Sequence, residues 1–276
     1  MKIGVIIQAR TSSTRLPKKV LKPLPFNSDI NVLQQVIRRV KQSKLIDEII
    51  IATTNHEEDD EIVDVAKKEN VNFYRGSLDN VLERYYLAAL ENNLDIIVRI
   101  TSDCPCVDSN IIDEIIKKHI ESNADYTSNT LNRGFPRGID GEVINFNVLE
   151  NAYNHATDKF EKEHVTPFIY KTHPEDFKIV QYVTSKDNSD IRITLDTPQD
   201  YALLCSVYDN LYNKNNFFSL DDIIKLFNDK PYLKDINSEI TQKKVCNTLH
   251  EELNEVISLC EKQDLDRAKN YIEKII

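Results

Sequence analysis

The sequence predicts an α/β protein with a doubly wound, mostly parallel sheet and a helical appendage at its C-terminal end. Two observations predict the sheet. Short, continuous apolar runs of the kind carried by strands buried on both faces recur along the chain, and stretches with a 3.6-residue apolar period separate them. A third observation predicts the appendage: beyond Pro231 the strand pattern stops and two helical stripes follow.

The first strand is Ile3-Gly4-Val5-Ile6-Ile7, and the helix after it follows from Ile30, Leu33, Val36, Ile37 and Val40 on one face. Glu48 to Thr53 is a second buried strand, Glu57 to Glu69 a second helix, and Asn72-Phe73-Tyr74 a short third strand. Ser77 to Asn92 reads as helix with Ser77 or Asp79 as N-cap. Asp95 to Ile100 is a fourth strand, followed by a helix from about Ser109 to Ser122. From Ala124 the rhythm changes. A Gly/Pro/Asn-rich loop, Ser128 to Gly141, leads into Glu142-Val143-Ile144, then helices near Asn147–His155 and Lys159–Thr172. Two further strands, Lys178–Val183 and Ile191–Leu195, precede a helix from Pro198. In such sheets ligands bind beyond the carboxyl ends of the strands, so the loops after Ile7, Ile100 and Leu195 are expected to face one crevice.

The 276 residues suit a core domain at 1–232 and an appendage at 233–276. In the appendage, Val245, Leu249, Leu253, Val256, Ile257 and Cys260 form one stripe, and Leu265, Ala268, Ile272 and Ile275 a second, which predicts a helical hairpin. No apolar run reaches the roughly 18 residues of a membrane span, and Met-Lys leads straight into strand-like sequence, so neither a membrane anchor nor a signal peptide is expected. Five cysteines, an odd number in a large chain, fit reduced thiols in a cytoplasm. With 35 basic and 45 acidic residues the net charge is −10, which argues against a nucleic-acid partner. The five glycines make neither a P-loop nor a G-x-G-x-x-G turn.

Against that acidic background the first 28 residues contain six Lys or Arg and no Asp or Glu. The loop after the first strand carries Arg10, Arg15, Lys18 and Lys19 among the hydroxyls of Thr11, Ser12, Ser13 and Thr14. Forked arginine donors, compact lysine charges and hydroxyls suit a triphosphate. Asp103, at the end of the fourth strand, is placed to hold Mg²⁺, which takes one or two carboxylates together with phosphate oxygens and water. Asp196 leaves the last core strand as a second carboxylate or as the N-cap of the Pro198 helix. Cys104-x-Cys106 lacks the companion ligands that zinc needs, and the run Glu57 to Glu61 reads as a solvated helix face. Of the six histidines, His164 within Lys162-Glu163-His164-Val165-Thr166-Pro167 is the one candidate for a substrate-facing position.

These residues carry a resemblance. Ile6-Ile7-Gln8-Ala9-Arg10, Ser13-Thr14-Arg15-Leu16-Pro17 and Lys19-Val20-Leu21 resemble the opening of cytidylyltransferases of the spore-coat polysaccharide F type, relatives of the CMP-3-deoxy-manno-octulosonate and CMP-sialic acid synthetases. Ile51-Ala52-Thr53-Thr54, Arg75-Gly76-Ser77, Arg84-Tyr85-Tyr86, Arg99-Ile100-Thr101, Asp103-Cys104-Pro105, Ser128-Asn129-Thr130, Glu163 to Pro167 and Asp196-Thr197-Pro198 continue it over about residues 1 to 230. The resemblance implies a nucleotidyltransferase fold of the GT-A kind, Mg²⁺ dependence, a homodimer, and transfer of CMP from CTP to a small anionic sugar or phosphorylated acceptor with release of pyrophosphate. It implies that Arg10, Arg15 and Lys19 grip the triphosphate and that Asp103 and Asp196 hold the metal. Gln8, Ala9 and Gly76 would line the base or ribose, with Ser13, Arg99 and Thr101 on the same nucleotide side. Asn129, Arg137, Asp140, Glu142, His164 and Arg192 would face the acceptor.

The sequence departs from the family pattern at Ser12 and Lys18, where glycine is expected, and at Pro23 to Asp29, which replaces a shorter turn. The acceptor could be an acidic sugar of the nonulosonic or octulosonic type, or a phosphorylated sugar, polyol or phosphonate, for which Arg133, Arg137 and Arg192 leave room. A glycosyltransferase using a nucleotide-sugar would need an Asp-x-Asp near a core strand, and the one present, Asp264-Leu265-Asp266, stands in the tail. A catalytically inactive scaffold would have no need of Arg10, Arg15, Lys19, Asp103 and Asp196 together.

Overall fold

A computed structural model describes residues 1–240 and 248–274, and divides the chain into two compact units, Met1–Asn237 and Ser238–Ile276. The first unit is built on a seven-stranded sheet: β1 (Ile3–Gln8), β2 (Glu48–Thr54), β3 (Asn72–Gly76), β4 (Ile96–Thr101), β5 (Tyr126–Ser128), β6 (Glu142–Asn145) and β7 (Ile179–Gln181). The order is β3-β2-β1-β4-β6-β5-β7. The pairs β3·β2, β2·β1 and β1·β4 are parallel, β6 runs antiparallel to both β4 and β5, and β7 is parallel to β5. The sheet is thus mostly parallel, and its rhythm breaks after the fourth strand as the sequence suggests.

The continuous apolar run of β1 exists because both faces of the strand are covered. Val5 and Ile7 point into a layer with α1 (Val32–Val40), α2 (Asp60–Lys68) and α4 (Ser109–Ser122). Ile6 points the other way, to α3 (Val81–Glu91) and α5 (Phe146–His155). Strand alternation over one run therefore feeds two cores. The helix α6 (Lys159–His164) packs near α3, and one turn of wide helix, Phe168–Thr172, follows it rather than a single helix to Thr172. The N-cap of α3 is Asn80, whose side chain accepts from Glu83 N, and not Ser77 or Asp79. A third core holds α7 (Pro198–Leu211) and α8 (Leu220–Asp229) against Leu16, Leu24, Phe135, Ile139, Ile191, Ile193 and Leu195.

Ile191–Leu195 is not a strand of the sheet. Ile191, Ile193 and Leu195 are buried in the third core, and the backbone of the segment bonds to loops instead: Arg137 N donates to Ile191 O, Ile193 N to Arg137 O, and Leu195 N to Asp103 O. Gly138 makes this approach possible, since it takes φ +106° and a Cβ there would lie 2.6 Å from Ile193 O.

The second unit contains α9 (Leu249–Lys262) and α10 (Asp266–Ile272), with Thr248 capping α9 and Leu265 N bonding back to Cys260 O at the turn. The two helices contact each other across this turn. Leu249 and Leu265 are exposed, so not every residue of the two stripes is covered, and Val245 and Ile275 lie outside the described residues. Cys104, Cys106, Cys205 and Cys260 are free thiols, and Cys246 lies outside the described residues.

Candidate active site

The loops that leave β1 and β4 and the segment that ends at Leu195 meet on one side of the sheet. Lys19 Nζ donates to Asp103 Oδ2 at 2.8 Å and to Asp196 Oδ1 at 2.9 Å. Residues 84 and 177 positions apart thus converge on one ammonium. Two hydrogen bonds to the Asp103 carbonyl fix the convergence, one from Leu195 N at 2.8 Å and one from the Thr194 hydroxyl at 3.3 Å. Thr101 Oγ1 donates to Asp103 Oδ1 at 2.6 Å, which aims the other carboxylate oxygen at Lys19.

Asp196 is the most heavily compensated group of the site. Besides Lys19 it meets Arg15 Nη2 at 3.1 Å and Arg192 Nη2 at 2.8 Å. Burial opposes its charge, but Lys19, Arg192 and Arg15 outweigh that and hold the carboxyl below its ordinary range. Burial likewise opposes the Lys19 charge, and the two aspartates override it and raise the ammonium.

The turn that presents Asp196 is organised by a residue the sequence reading missed. Asp200, whose side chain is fully buried, accepts from Arg192 Nε and Nη2, the backbone of Asp196 and Thr197, Thr197 Oγ1, and Asn237 Nδ2. Thr197, not Asp196, is the N-cap of α7, with Asp200 returning the bond in a capping box and Pro198 in the first turn. The signal was present as Thr197-x-x-Asp200, the spacing of that box. Asp196 is thereby released from capping and left to face Lys19.

A second overlooked anchor is Asp59. The run Glu57 to Glu61 is solvated except here: Asp59 is buried and accepts from Thr11 N at 2.8 Å, Thr11 Oγ1 at 2.7 Å and Thr54 Oγ1. Burial pushes its carboxyl up, and the threonine bonds more than reverse this. It pins the start of the basic loop to the end of β2. Lys18 adopts a left-handed conformation, φ 51°, at a position where glycine was expected. It pairs on the surface with Glu61, so its charge is not turned toward the Lys19 cluster.

The remaining site residues fall into three groups. Gln8 at the end of β1 accepts from Arg99 Nη2 at 3.2 Å, Ala9 is buried and bonded to Ala52 O, and Ser13 Oγ accepts from Leu16 N within the loop. Arg10 is exposed, and Gly76 closes β3 beside Arg84. Several residues expected to face the acceptor are instead engaged in holding the site. Glu142 is buried and satisfied by Arg99, Tyr126 OH and Thr166 Oγ1, the last at 2.9 Å. Burial works against the Arg99 charge, yet Glu142 keeps that guanidinium above its ordinary range. Arg192 is taken up by Asp196 and Asp200. Asn129 is buried and staples its own loop, donating to Ile139 O and accepting from Gly141 N. Asp140 is held bidentate by Arg133, at 2.6 and 3.1 Å. Buried Glu142 and Asn129 have spent their hydrogen bonds within the protein, and half-exposed Asp140 is held by Arg133.

Arg137 differs. It is half-buried and makes no side-chain hydrogen bond or ion pair among the described residues, and Arg133 and Arg192 stand close enough to repel it. Burial and those two arginines lower its pKa against the pull of Asp140. His164 closes α6 with its ring tilted against Phe160 at 4.8 Å. Cys104 and Cys106 are buried thiols, pushed up by burial, Cys106 to about 12, and among the described residues no group of three His, Cys, Asp or Glu could hold a metal.

Residues 4–272 match the family described as Cytidylyltransferase. The chain belongs to the cytidylyltransferase family. The match reaches past the motifs that end near residue 230 and takes in most of the tail. This cytidylyltransferase is 38% identical over 88% of its length to protein MJ1063 of Methanocaldococcus jannaschii, covering 97% of that protein. It is 35% identical over 82% of its length to the spore coat polysaccharide biosynthesis protein SpsF of Bacillus subtilis, covering 94% of it. Among solved structures, it superposes on a cytidylyltransferase from Leptospira borgpetersenii with a TM-score of 0.80 and 34% identity, over 88% of this chain and all of that one. The fold is that of the nucleotidyltransferases.

Proposed function

We propose that this cytidylyltransferase transfers CMP from CTP to an acidic sugar of the nonulosonic or octulosonic type, with release of pyrophosphate, in the making of a surface polysaccharide or glycan. The observation that carries the reading is the convergence of Asp103 and Asp196 on Lys19 at the carboxyl ends of the strands. The similarity to SpsF, named for spore coat polysaccharide biosynthesis, supports the pathway class.

An acceptor oxygen attacks the α-phosphorus of CTP in line with the departing pyrophosphate. The difficulty is electrostatic, because an anionic acceptor must approach a polyanion. Arg10, Arg15 and Lys19 neutralise the phosphates and the developing charge of the leaving group. The donor set of Asp103 and Asp196 fits Mg²⁺, a hard cation that takes two carboxylates and leaves its other positions to phosphate oxygens and water. Bound there, the ion would supply further charge stabilisation at the phosphates. Lys19 balances the two carboxylates in the chain as it stands and is free to turn to phosphate when a cation takes its place. Gln8, Ala9 and Gly76 would line the nucleoside, with Ser13, Arg99 and Thr101 nearby. Asp200, Arg192, Asp59 and Glu142 act by positioning. The active form is a homodimer in the cytoplasm.

Arg137 favours a second reading of the acceptor. A half-buried guanidinium without a bonded carboxylate suits an anionic group on the acceptor, and a phosphorylated sugar, polyol or phosphonate offers that as well as a sugar acid does. Pyrophosphate release measured with Mg²⁺, each of the four nucleoside triphosphates, and a panel of sugar acids and sugar phosphates tests both readings. CTP-dependent release with sugar acids is the expected result. Release with phosphorylated acceptors alone would select the second reading, and release with another triphosphate in place of CTP would overturn both.

A further inference from the structure

We propose that Tyr208 and Arg39 are positioning residues for Asp103: each donates to a carbonyl of the loop that carries this aspartate, and together they hold its carboxylate opposite Asp196. The inference rests on the cytidylyltransferase reading and adds to it two buried residues that the reading does not use.

The chain from Ser102 to Asp108 belongs to no helix or strand, so its backbone has no ladder to satisfy it. Every residue of it is buried except Asp103, which is partly exposed. Alternate carbonyls are taken by donors from three different parts of the fold. Asp103 O accepts from Leu195 N and the Thr194 hydroxyl, Pro105 O from Tyr208 OH at 2.6 Å, and Val107 O from Arg39 Nε at 2.7 Å. Asp108 closes the loop, capping α4 through Asn110 N and accepting from Leu220 N at 2.7 Å. Buried carbonyls require donors, so these donors decide the path the loop takes.

Arg39, on α1, is 3% exposed and forms no ion pair among the described residues. Its guanidinium gives its hydrogen bonds to carbonyls: Val107 O, Phe218 O at 2.5 Å and Asn216 O at 3.5 Å. Burying a cation without a counter-ion is costly. What the cost secures is a planar fork that ties α1, the Asp103 loop and the segment before α8 to one another. Tyr208 is fully buried on the other side of the same ring. Phe218 lies edge-on to Tyr208 with centroids 5.2 Å apart, and the Arg39 guanidinium sits 4.4 Å from the Phe218 centroid.

The helix that carries Tyr208 connects this loop to the second carboxylate. Asp196 precedes the N-cap of α7, and Tyr208 stands ~15 Å along that helix from Pro198. One rigid element therefore presents Asp196 at its start and braces the Asp103 loop near its end. Arg39 braces the same loop from α1, which follows the loop of Lys19. Asp103 and Asp196 both bond to Lys19, and a cation shared by two carboxylates needs their spacing held to within ~0.5 Å. Tyr208 and Arg39 supply that support from behind the loop.

The test is calorimetric binding of CTP, with and without Mg²⁺, to the wild type, Tyr208→Phe, Arg39→Lys and Ile223→Ala. Phenylalanine keeps the ring and removes only the hydroxyl. Ile223 is buried in the same core and serves as a packing control. Tyr208→Phe is expected to cut the tightening of CTP by Mg²⁺ at least about threefold, while metal-free CTP affinity stays within about twofold. Ile223→Ala should lower the melting temperature and leave the Mg²⁺ effect as in the wild type. If Tyr208→Phe does not fold, Arg39→Lys decides by the same criteria. An Mg²⁺ effect unchanged in Tyr208→Phe, or reduced as much in Ile223→Ala, overturns this inference alone. A wild type that does not bind CTP, or binds it without regard to Mg²⁺, overturns the cytidylyltransferase reading and this inference together.

Discussion

Around the end of β4 the charges are paired with one another, Lys19 with Asp103 and Asp196, Arg15 with Asp196, and Arg192 with Asp196 and Asp200, while Arg137 beside them makes no ion pair among the described residues. On the β3 side, Arg10 and Arg84 form no ion pair among the described residues, although one is exposed and the other buried. The first arrangement is a balanced cluster that can exchange partners without exposing a net charge. The second is a pair of cations with donors to spare. On the function proposed above, the paired cluster would exchange Lys19 for a metal and phosphates, an exchange that the arginines without a carboxylate would not share.

The largest effect is expected at Asp103. Asp103→Asn removes one of the two carboxylates that face Lys19 and leaves Thr101 a partner. Turnover should fall by about 100-fold or more, the usual loss when a preorganised electrostatic contact is removed, while the melting temperature moves little. Turnover unchanged at saturating Mg²⁺ would remove Asp103 from the mechanism.

The next largest effect is on stability. Asp200→Ala strips Arg192, Asn237 and the α7 cap of their shared acceptor and leaves a buried guanidinium short of charge. Breaking a buried pair in this way costs about 3–5 kcal/mol, read as a drop in denaturant midpoint. A loss below about 1 kcal/mol would mean that Asp200 does not organise the turn.

Acid should act on the paired side before the unpaired one. Asp59, Asp196 and Asp200 are all held below their unfolded value. Their contribution is complete above the unfolded carboxylate pKa, about 3.9, and is lost as pH falls through the lowered folded values. Lys19 is raised, so its contribution is complete below about 10.4 and is lost as pH climbs past its folded value. Melting temperatures followed from pH 7 downward should therefore hold to about pH 4 and then fall. A steady decline from pH 7 would contradict the assignment.

The smallest effect is expected at Lys18. Lys18→Gly relieves a left-handed conformation worth roughly 1–2 kcal/mol but loosens the unfolded chain, so stability should shift by no more than about 1 kcal/mol. Turnover should stay near wild type, because Lys18 pairs with Glu61 outside the cluster. A large loss of turnover would bring Lys18 into the phosphate site.

How much of this the sequence disclosed depended on whether a residue's partners were local. The strands β1, β2 and β4 were legible because two covered faces demand an unbroken apolar run. Ile191–Leu195 alternates apolar and polar residues as a half-buried strand does, yet its core is a loop-and-helix layer, a distinction that the pattern does not carry. Lys19, Asp103 and Asp196 stood out by charge at strand ends. Asp200 and Asp59 did not, because an acidic residue in the first turn of a helix has an ordinary explanation in the helix dipole. Glu142 and Arg192 looked like acceptor contacts until their buried partners, Arg99 and Asp200, were in view. Arg84 lay inside a quoted motif, but an arginine on a helix reveals its missing partner only in three dimensions.

The most direct test of the account is CTP affinity measured by calorimetry with and without Mg²⁺, in the wild type and in Asp103→Asn. The account predicts that Mg²⁺ tightens CTP binding by at least about tenfold in the wild type, as a cation shared by carboxylates and phosphates must, and by much less in the variant. CTP binding that is indifferent to Mg²⁺ and to Asp103 would contradict it.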